Sequence, residues 1–184
     1  DVSSEMLIQF PKLELRLEEV DRIAIPPMYR IMQKYDDQQI LDVSGHLRRK
    51  LEASVPHRER LRGKRLALTA GSRGIPDLDK LVRTICDTCK AWGAEPFIVP
   101  AMGSHGGALA EGQREILAAL GITVETMGCP IRATMETVKV GETEEGHSVR
   151  IDKYAAAADA IIVSCRIKPH TGFRGPYESG IMKM

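Results

Sequence analysis

Aromatic side chains are scarce: three Phe, four Tyr and one Trp make up 4% of the 184 residues. Any core must therefore be built from Ala, Val, Ile, Leu and Met. Charge of one sign is also missing. Lys plus Arg number 26 and Asp plus Glu 25, so the net charge is +1, and nothing electrostatic points to nucleic acid or to an anionic membrane surface. The only basic stretch, Arg58, Arg60, Arg62, Lys64 and Arg65, reads as a solvated helix end ahead of a strand. No apolar run approaches the ~20 residues of a membrane helix, and the opening Asp-Val-Ser-Ser has no basic n-region or apolar h-region, so it is no signal peptide. Cysteines are few. Cys86 and Cys89 form a CxxC, but inside a helical pattern rather than at a helix N-terminus after a strand. One such pair is a poor zinc signal, and packing of the helix in a reduced, cytoplasmic protein is expected.

What is present is a 43% hydrophobic composition, enough to bury a core of one ordinary domain. The first forty or so residues are mixed. Leu13, Leu15 and Leu17 alternate with charged residues, and Ile23-Ala-Ile25 ends at Pro26-Pro27, so both read as short strands. Asp37 to Ala53 is expected to be an amphipathic helix, with Ile40, Leu41, Val43, Leu47 and Leu51 near one face.

From residue 65 the pattern becomes regular. Arg65–Thr69 is a strand, Gly71–Pro76 a turn, and Asp77 opens a helix that Gly93 ends. Pro96–Pro100 is the next strand, Gly103–Gly107 a glycine-rich loop, and Leu109–Leu120 the next helix. Residues 134–151 carry alternating Val138 and Val140, a Gly-rich turn, then Val149 and Ile151, which reads as a β-hairpin. A short helix near Tyr154–Ala158 leads to Ala160–Cys165, expected to be a buried strand. The expected architecture is α/β and Rossmann-like: a parallel sheet with helices on both faces and a β-hairpin insertion. Residues 1–64 form an N-terminal segment of strands plus one helix packing on that core. Residues 65–184 form the α/β domain, expected to be cut short: the last residues, Gly180–Met184, carry no helix-ending signal.

Ligands of open parallel sheets bind beyond the carboxyl ends of the strands. Three loops leave such ends. The first carries Ser72 and Arg73, the second Ser104 and His105, and the third Lys168, His170, Arg174, Glu178, Ser179 and Lys183. Gly103, Gly106 and Gly107 flank His105, where glycine lets backbone approach a ligand and a helix follows whose N-terminus favours an anion. On these residues alone, a glycine turn with an exposed histidine fits equally well. Two histidines suit acid–base work from two sides of a substrate, and Arg73 could hold a carboxylate in a bidentate pair. His46, His57 and His147 lie outside these loops and read as surface residues. No His/Cys spacing makes a metal site.

Four segments together resemble the N-terminal domain of nickel-dependent lactate racemase and its homologues: Gly71-Ser-Arg-Gly74, Pro96-Phe-Ile-Val-Pro-Ala-Met-Gly-Ser-His-Gly-Gly107, Arg166-Ile-Lys-Pro-His-Thr171 and Glu178-Ser-Gly-Ile-Met-Lys-Met184. The resemblance implies a racemase or epimerase of small 2-hydroxy acids. Its cofactor would be a nickel-pincer nucleotide attached through Lys183, with Ser72, Gly103, Ser104, Ser179 and Gly180 around it. It implies His105 and His170 as the acid–base pair and Arg73 as the carboxylate-binding residue. No protein ligand to nickel is implied within the chain. The C-terminal domain of the same parent protein would be the partner that closes the cleft, a further copy of the chain could join in an oligomer, and the fragment alone would lack the cofactor. Ala70 stands where the family's racemases carry an acidic residue, and the spacing from His170 to Lys183 is longer than theirs, so the acid is not specified as lactate. A second reading is a non-catalytic α/β module that binds an anionic small molecule or nucleotide at the same loops.

Overall fold

The computed structural model describes residues 27–35, 38–72, 74–169, 172, 174–176 and 178. The strands expected at Leu13–Leu17 and Ile23–Ile25 lie outside the described residues. The chain divides into two units, residues 1–38 and residues 39–184. In the first, the described residues form neither helix nor strand. All regular structure described below belongs to the second.

That unit is α/β. Its first helix, α1 (Val43–Ser54), begins later than the apolar spacing suggests, because the Asp42 carboxylate accepts the Gly45 N–H at 2.8 Å and caps the helix there. The basic stretch that follows is a 3-10 turn over Arg58–Leu61. Next come β1 (Arg65–Ala70), α2 (Leu78–Ala91), β2 (Glu95–Pro100) and α3 (Ala110–Ala119). The sequence reading missed α4 (Val124–Met127), a single turn held by a reciprocal cap between Thr123 and Thr126. Then β3 (Thr137–Glu142) and β4 (Ser148–Asp152) form the antiparallel hairpin, with a register shift between Lys139 and Gly141. The chain continues through α5 (Lys153–Ala156) and β5 (Ala160–Ile162).

The sheet is parallel, in the order β2-β1-β5. Alternation along β1 and β2 divides its residues between two faces. Leu66, Leu68, Ala70 and Ile98 pack with Val82, Ile85, Cys86 and Cys89 of α2, Leu117 of α3 and Met127 of α4. Full burial of one such side chain is worth about 1.5–3 kcal/mol, so this face holds most of the stability. Ala67, Phe97 and Val99 point the other way and pack with Ala155 and the half-buried Tyr154 and Ala158. There the Arg132 guanidinium lies 4.8 Å from the centre of the Phe97 ring and 5.8 Å from that of Tyr154. Helices cover both faces, but among the described residues the second face has only the four residues of α5.

The two sheet edges also differ. Beyond β2, the Ile98 N–H donates to Pro130 O and Arg132 N–H to Ile98 O, both at 2.8 Å, so the segment through Ile131 covers that edge. Beyond β5, the described residues contain no further strand. The stretch from Ala160, expected to be a buried strand, is instead an edge strand with Ile161 42% and Val163 41% exposed. Its apolar composition fits either role; what decides is whether anything stands beside it. No helix among the described residues is long and apolar enough to cross a membrane.

The CxxC lies inside α2, with both thiols in the core. Burial pushes Cys89 up to about 11. Cys86 and Cys129, not paired by the sequence reading, bring their sulfurs to 3.3 Å. One thiol donates to the other, which raises Cys86 and lowers Cys129.

Candidate functional site

Three loops leave the carboxyl ends of β1, β2 and β5, and hydrogen bonds tie them together. The loop after β1 meets the loop after β2 where Ser72 Oγ lies 2.6 Å from His105 Nδ1. Just below, Ala101 N–H donates to Ala70 O at 2.8 Å. The chain after β5 is joined to β1 through Thr69, whose hydroxyl oxygen accepts the Ser164 N–H at 2.8 Å. Further out, Arg166 Nη1 donates to Gly74 O at 2.6 Å, binding the third loop to the first. Nothing local in the sequence marks this contact of Arg166, because Gly74 is 92 residues away.

His105 is half-buried and sits in a loop whose shape the glycines make possible. Gly103, Gly106 and Gly107 take φ of +59°, +67° and +67°, values that cost a glycine little. Glycine also solves a packing problem. A Cβ on Gly106 would come within 2.5 Å of the Gly112 carbonyl carbon, and one on Gly112 within 2.2 Å of Gly106 O. The histidine loop thus rests directly on the backbone of α3. Gln113, on the same helix and 4% exposed, donates from Nε2 to Gly103 O at 2.8 Å and more weakly to His105 O at 3.4 Å. The sequence reading named neither Gly112 nor Gln113. A glutamine on a helix, beside Arg114 and Glu115, reads as a solvent-facing position, and only its burial reveals the contact.

Around Gly103 the backbone is open: an added Cβ would meet nothing within 4 Å. Gly103 and Ser104 are exposed, and Ser72 is half-buried. A hollow of about 420 Å³ is lined by Gly74, Ile75, Pro76 and Arg166 of the first and third loops. A second, of about 370 Å³, runs from Met102, Gly103 and Gln113 to Thr137, Arg150 and Asp152 of the hairpin. Among the described residues, no three His, Cys, Asp or Glu side chains group to hold a metal ion.

Of the residues predicted from sequence, the structure brings Ser72 and His105 together and places Gly103 and Ser104 in the same loop as His105. Arg73, His170, Ser179, Gly180 and Lys183 lie outside the described residues. In the third loop, Lys168 is exposed, and Arg174 pairs with Glu178 at 3.4 Å. Ala70, the last residue of β1, is fully buried against the core. His57 and His147 are exposed as expected, while His46 is half-buried in α1.

Comparison with known proteins adds one positive finding. The family model described as the lactate racemase N-terminal domain matches residues 67–180, more than half of the chain, and covers the first two loops and the third as far as Gly180. No curated protein matches the chain.

Proposed function

The chain belongs to the lactate racemase N-terminal domain family, and on that premise we propose that it is the N-terminal part of an isomerase that racemises or epimerises a small 2-hydroxy acid. The observation that carries the reading is the placement of His105. It stands at the carboxyl end of the parallel sheet, on a glycine loop, where a half-buried imidazole is held by a hydroxyl from the neighbouring strand end.

The described residues fit a flat, anionic nucleotide cofactor in one respect. The open backbone at Gly103, beside the exposed Ser104, leaves room for a ring to lie close. A nickel-pincer nucleotide would be held covalently by Lys183, with Ser72, Gly103, Ser104, Ser179 and Gly180 around it. When bound, this group supplies a reversible hydride acceptor for the hydrogen on C2 of the substrate. His105 removes the proton of the substrate hydroxyl and later returns one. His170 does the same from the opposite side, since inversion at one carbon needs an acid–base group on each face. Arg73 holds the carboxylate and so fixes which atom faces the two imidazoles. A C-terminal domain of the same polypeptide closes the cleft and excludes water.

The test uses the natural polypeptide that carries this chain, co-produced with the enzymes that make the cofactor. A single enantiomer of a 2-hydroxy acid, deuterated at C2, should lose its optical rotation while keeping the deuterium. His105→Ala should lower kcat by about 10²–10⁴-fold, the usual contribution of a positioned acid–base group. Lys183→Ala should abolish a nucleotide adduct seen by intact-protein mass spectrometry. Absence of both the adduct and isomerisation, across lactate and its larger homologues, would overturn the reading.

A further inference from the structure

We propose that Ser72 and Gln113 are positioning residues for His105: Ser72 holds the ring so that Nε2 is the nitrogen that gains and loses the proton, and Gln113 holds the backbone that carries the ring. The proposal rests on the reading of His105 as a proton carrier and extends it to two residues that do not touch the substrate.

Ser72 Oγ lies 2.6 Å from Nδ1, and among the described residues Nε2 has no hydrogen-bond partner. A base needs a lone pair on the nitrogen facing the substrate. For Nε2 to have it, the neutral ring must carry its hydrogen on Nδ1, and that N–H then donates to the Ser72 hydroxyl. Once Nε2 has taken the substrate proton, Nδ1–H still donates to the same oxygen. One geometry therefore serves both protonation states. The neutrality of the partner matters too. A carboxylate in this place would stabilise the imidazolium by charge and hinder return of the proton, whereas a hydroxyl carries no charge. An isomerase that runs both ways over one carbon needs that balance.

The second arm acts on the loop. Gly103, Gly106 and Gly107 give it a shape but little resistance to movement. The buried Gln113 amide bridges Gly103 O and His105 O, so the carbonyls on either side of Ser104 are fixed to α3. Ser72 lies in the loop that follows β1 and Gln113 in α3, so the imidazole is set between groups from two separate parts of the fold.

The readout is the tautomer of His105, taken from long-range 1H–15N correlation of the ring nitrogens in the 184-residue chain at a pH where the ring is neutral. The expected result is Nδ1–H in the unaltered chain. Ser72→Ala should move the population to Nε2–H, the form an imidazole in water prefers, and Ser72→Thr should restore Nδ1–H. Gln113→Met should shift the ring in the same direction with Ser72 intact; if that variant does not fold, the serine pair carries the test. In the active full-length enzyme, Ser72→Ala should lower kcat about tenfold, the worth of one well-made hydrogen bond, with KM little changed. An unaltered chain already in the Nε2–H form, or a Ser72→Ala spectrum that does not move, would overturn the proposal. Because the tautomer is read without substrate or cofactor, a missing isomerase activity would count against the functional reading and leave the Ser72–His105 coupling standing.

Discussion

The two faces of the sheet are stabilised by different means. On one, fifteen of the described residues, from β1, β2, α2, α3, α4 and the segments between them, are buried and interlock. On the other, four do so, and an arginine spread over Phe97 and Tyr154 takes the place of a second helix layer. The thick face has little freedom to adjust, so a vacancy there stays empty and costs its full volume. The thin face can settle around a lost side chain. The strand-end loops draw on both: the histidine loop is anchored to α3 of the thick face, while the hollow beside Gly103 opens toward the hairpin of the thin one.

Neighbouring residues of β2 offer the sharpest way to break this contrast. Ile98 faces α2 and α3, and Phe97 faces Arg132, Tyr154 and Ala155; both are almost wholly buried. Size alone ranks Phe97→Ala as the costlier change. Unequal packing reverses the order: Ile98→Ala should lower unfolding free energy by about 4.5 kcal/mol and Phe97→Ala by about 3 kcal/mol, measured by urea denaturation. A larger loss for Phe97 would mean that the two faces are equally rigid. Next in size, Gly112→Ala should cost about 2 kcal/mol, because a methyl group must displace the Gly106 backbone. It should also shift the amide resonances of residues 103–107 while leaving those of the hairpin in place. Equal shifts in both would show that the loop does not depend on α3 in particular.

The smallest effect concerns the seam between β1 and β5. Asp159 accepts the Arg65 N–H at 2.8 Å and lies 3.7 Å from Lys64 Nζ. The backbone hydrogen bond, then the two cations, hold its carboxyl below the usual carboxylate range. A depressed folded-state value means stability that is complete above the unfolded value of about 4. That stability is lost as pH falls through the folded value. Asp159→Asn should therefore lower Tm slightly at pH 7, and the gap should narrow steadily below about pH 4. A gap that does not depend on pH would remove the carboxylate from the seam.

Much of this was legible in the sequence for a simple reason. The β1–α2–β2–α3 run obeys two periodicities that only burial imposes, and glycine marks its turns. Where the reading failed, the deciding contact was nonlocal or too short to leave a period. The start of α1 depended on a single carboxylate cap at Asp42. The four-residue α4 has no room for a helical repeat. The exposure of β5 depends on what stands beside it, which no property of Ala160-Ile-Ile162 encodes. In the candidate site, His105 and Ser72 were marked by their loops, yet their mutual bond joins residues 33 apart. Gln113 was hidden because a polar residue on a helix ordinarily faces water.

The position of β1 in the middle of the sheet sets a timetable for synthesis. Its partner β2 begins at Glu95, but its other partner, β5, begins only at Ala160. The intervening ~60 residues take a ribosome about 3–12 s at ~5–20 residues per second. Throughout that interval the flank of Leu66–Leu68 that later receives Ala160–Ile162 has bare amide and carbonyl groups, the kind of border that another nascent copy can seize. Translation pauses placed after the hairpin codons would lengthen the exposure, and faster decoding there should raise the yield of monomeric protein.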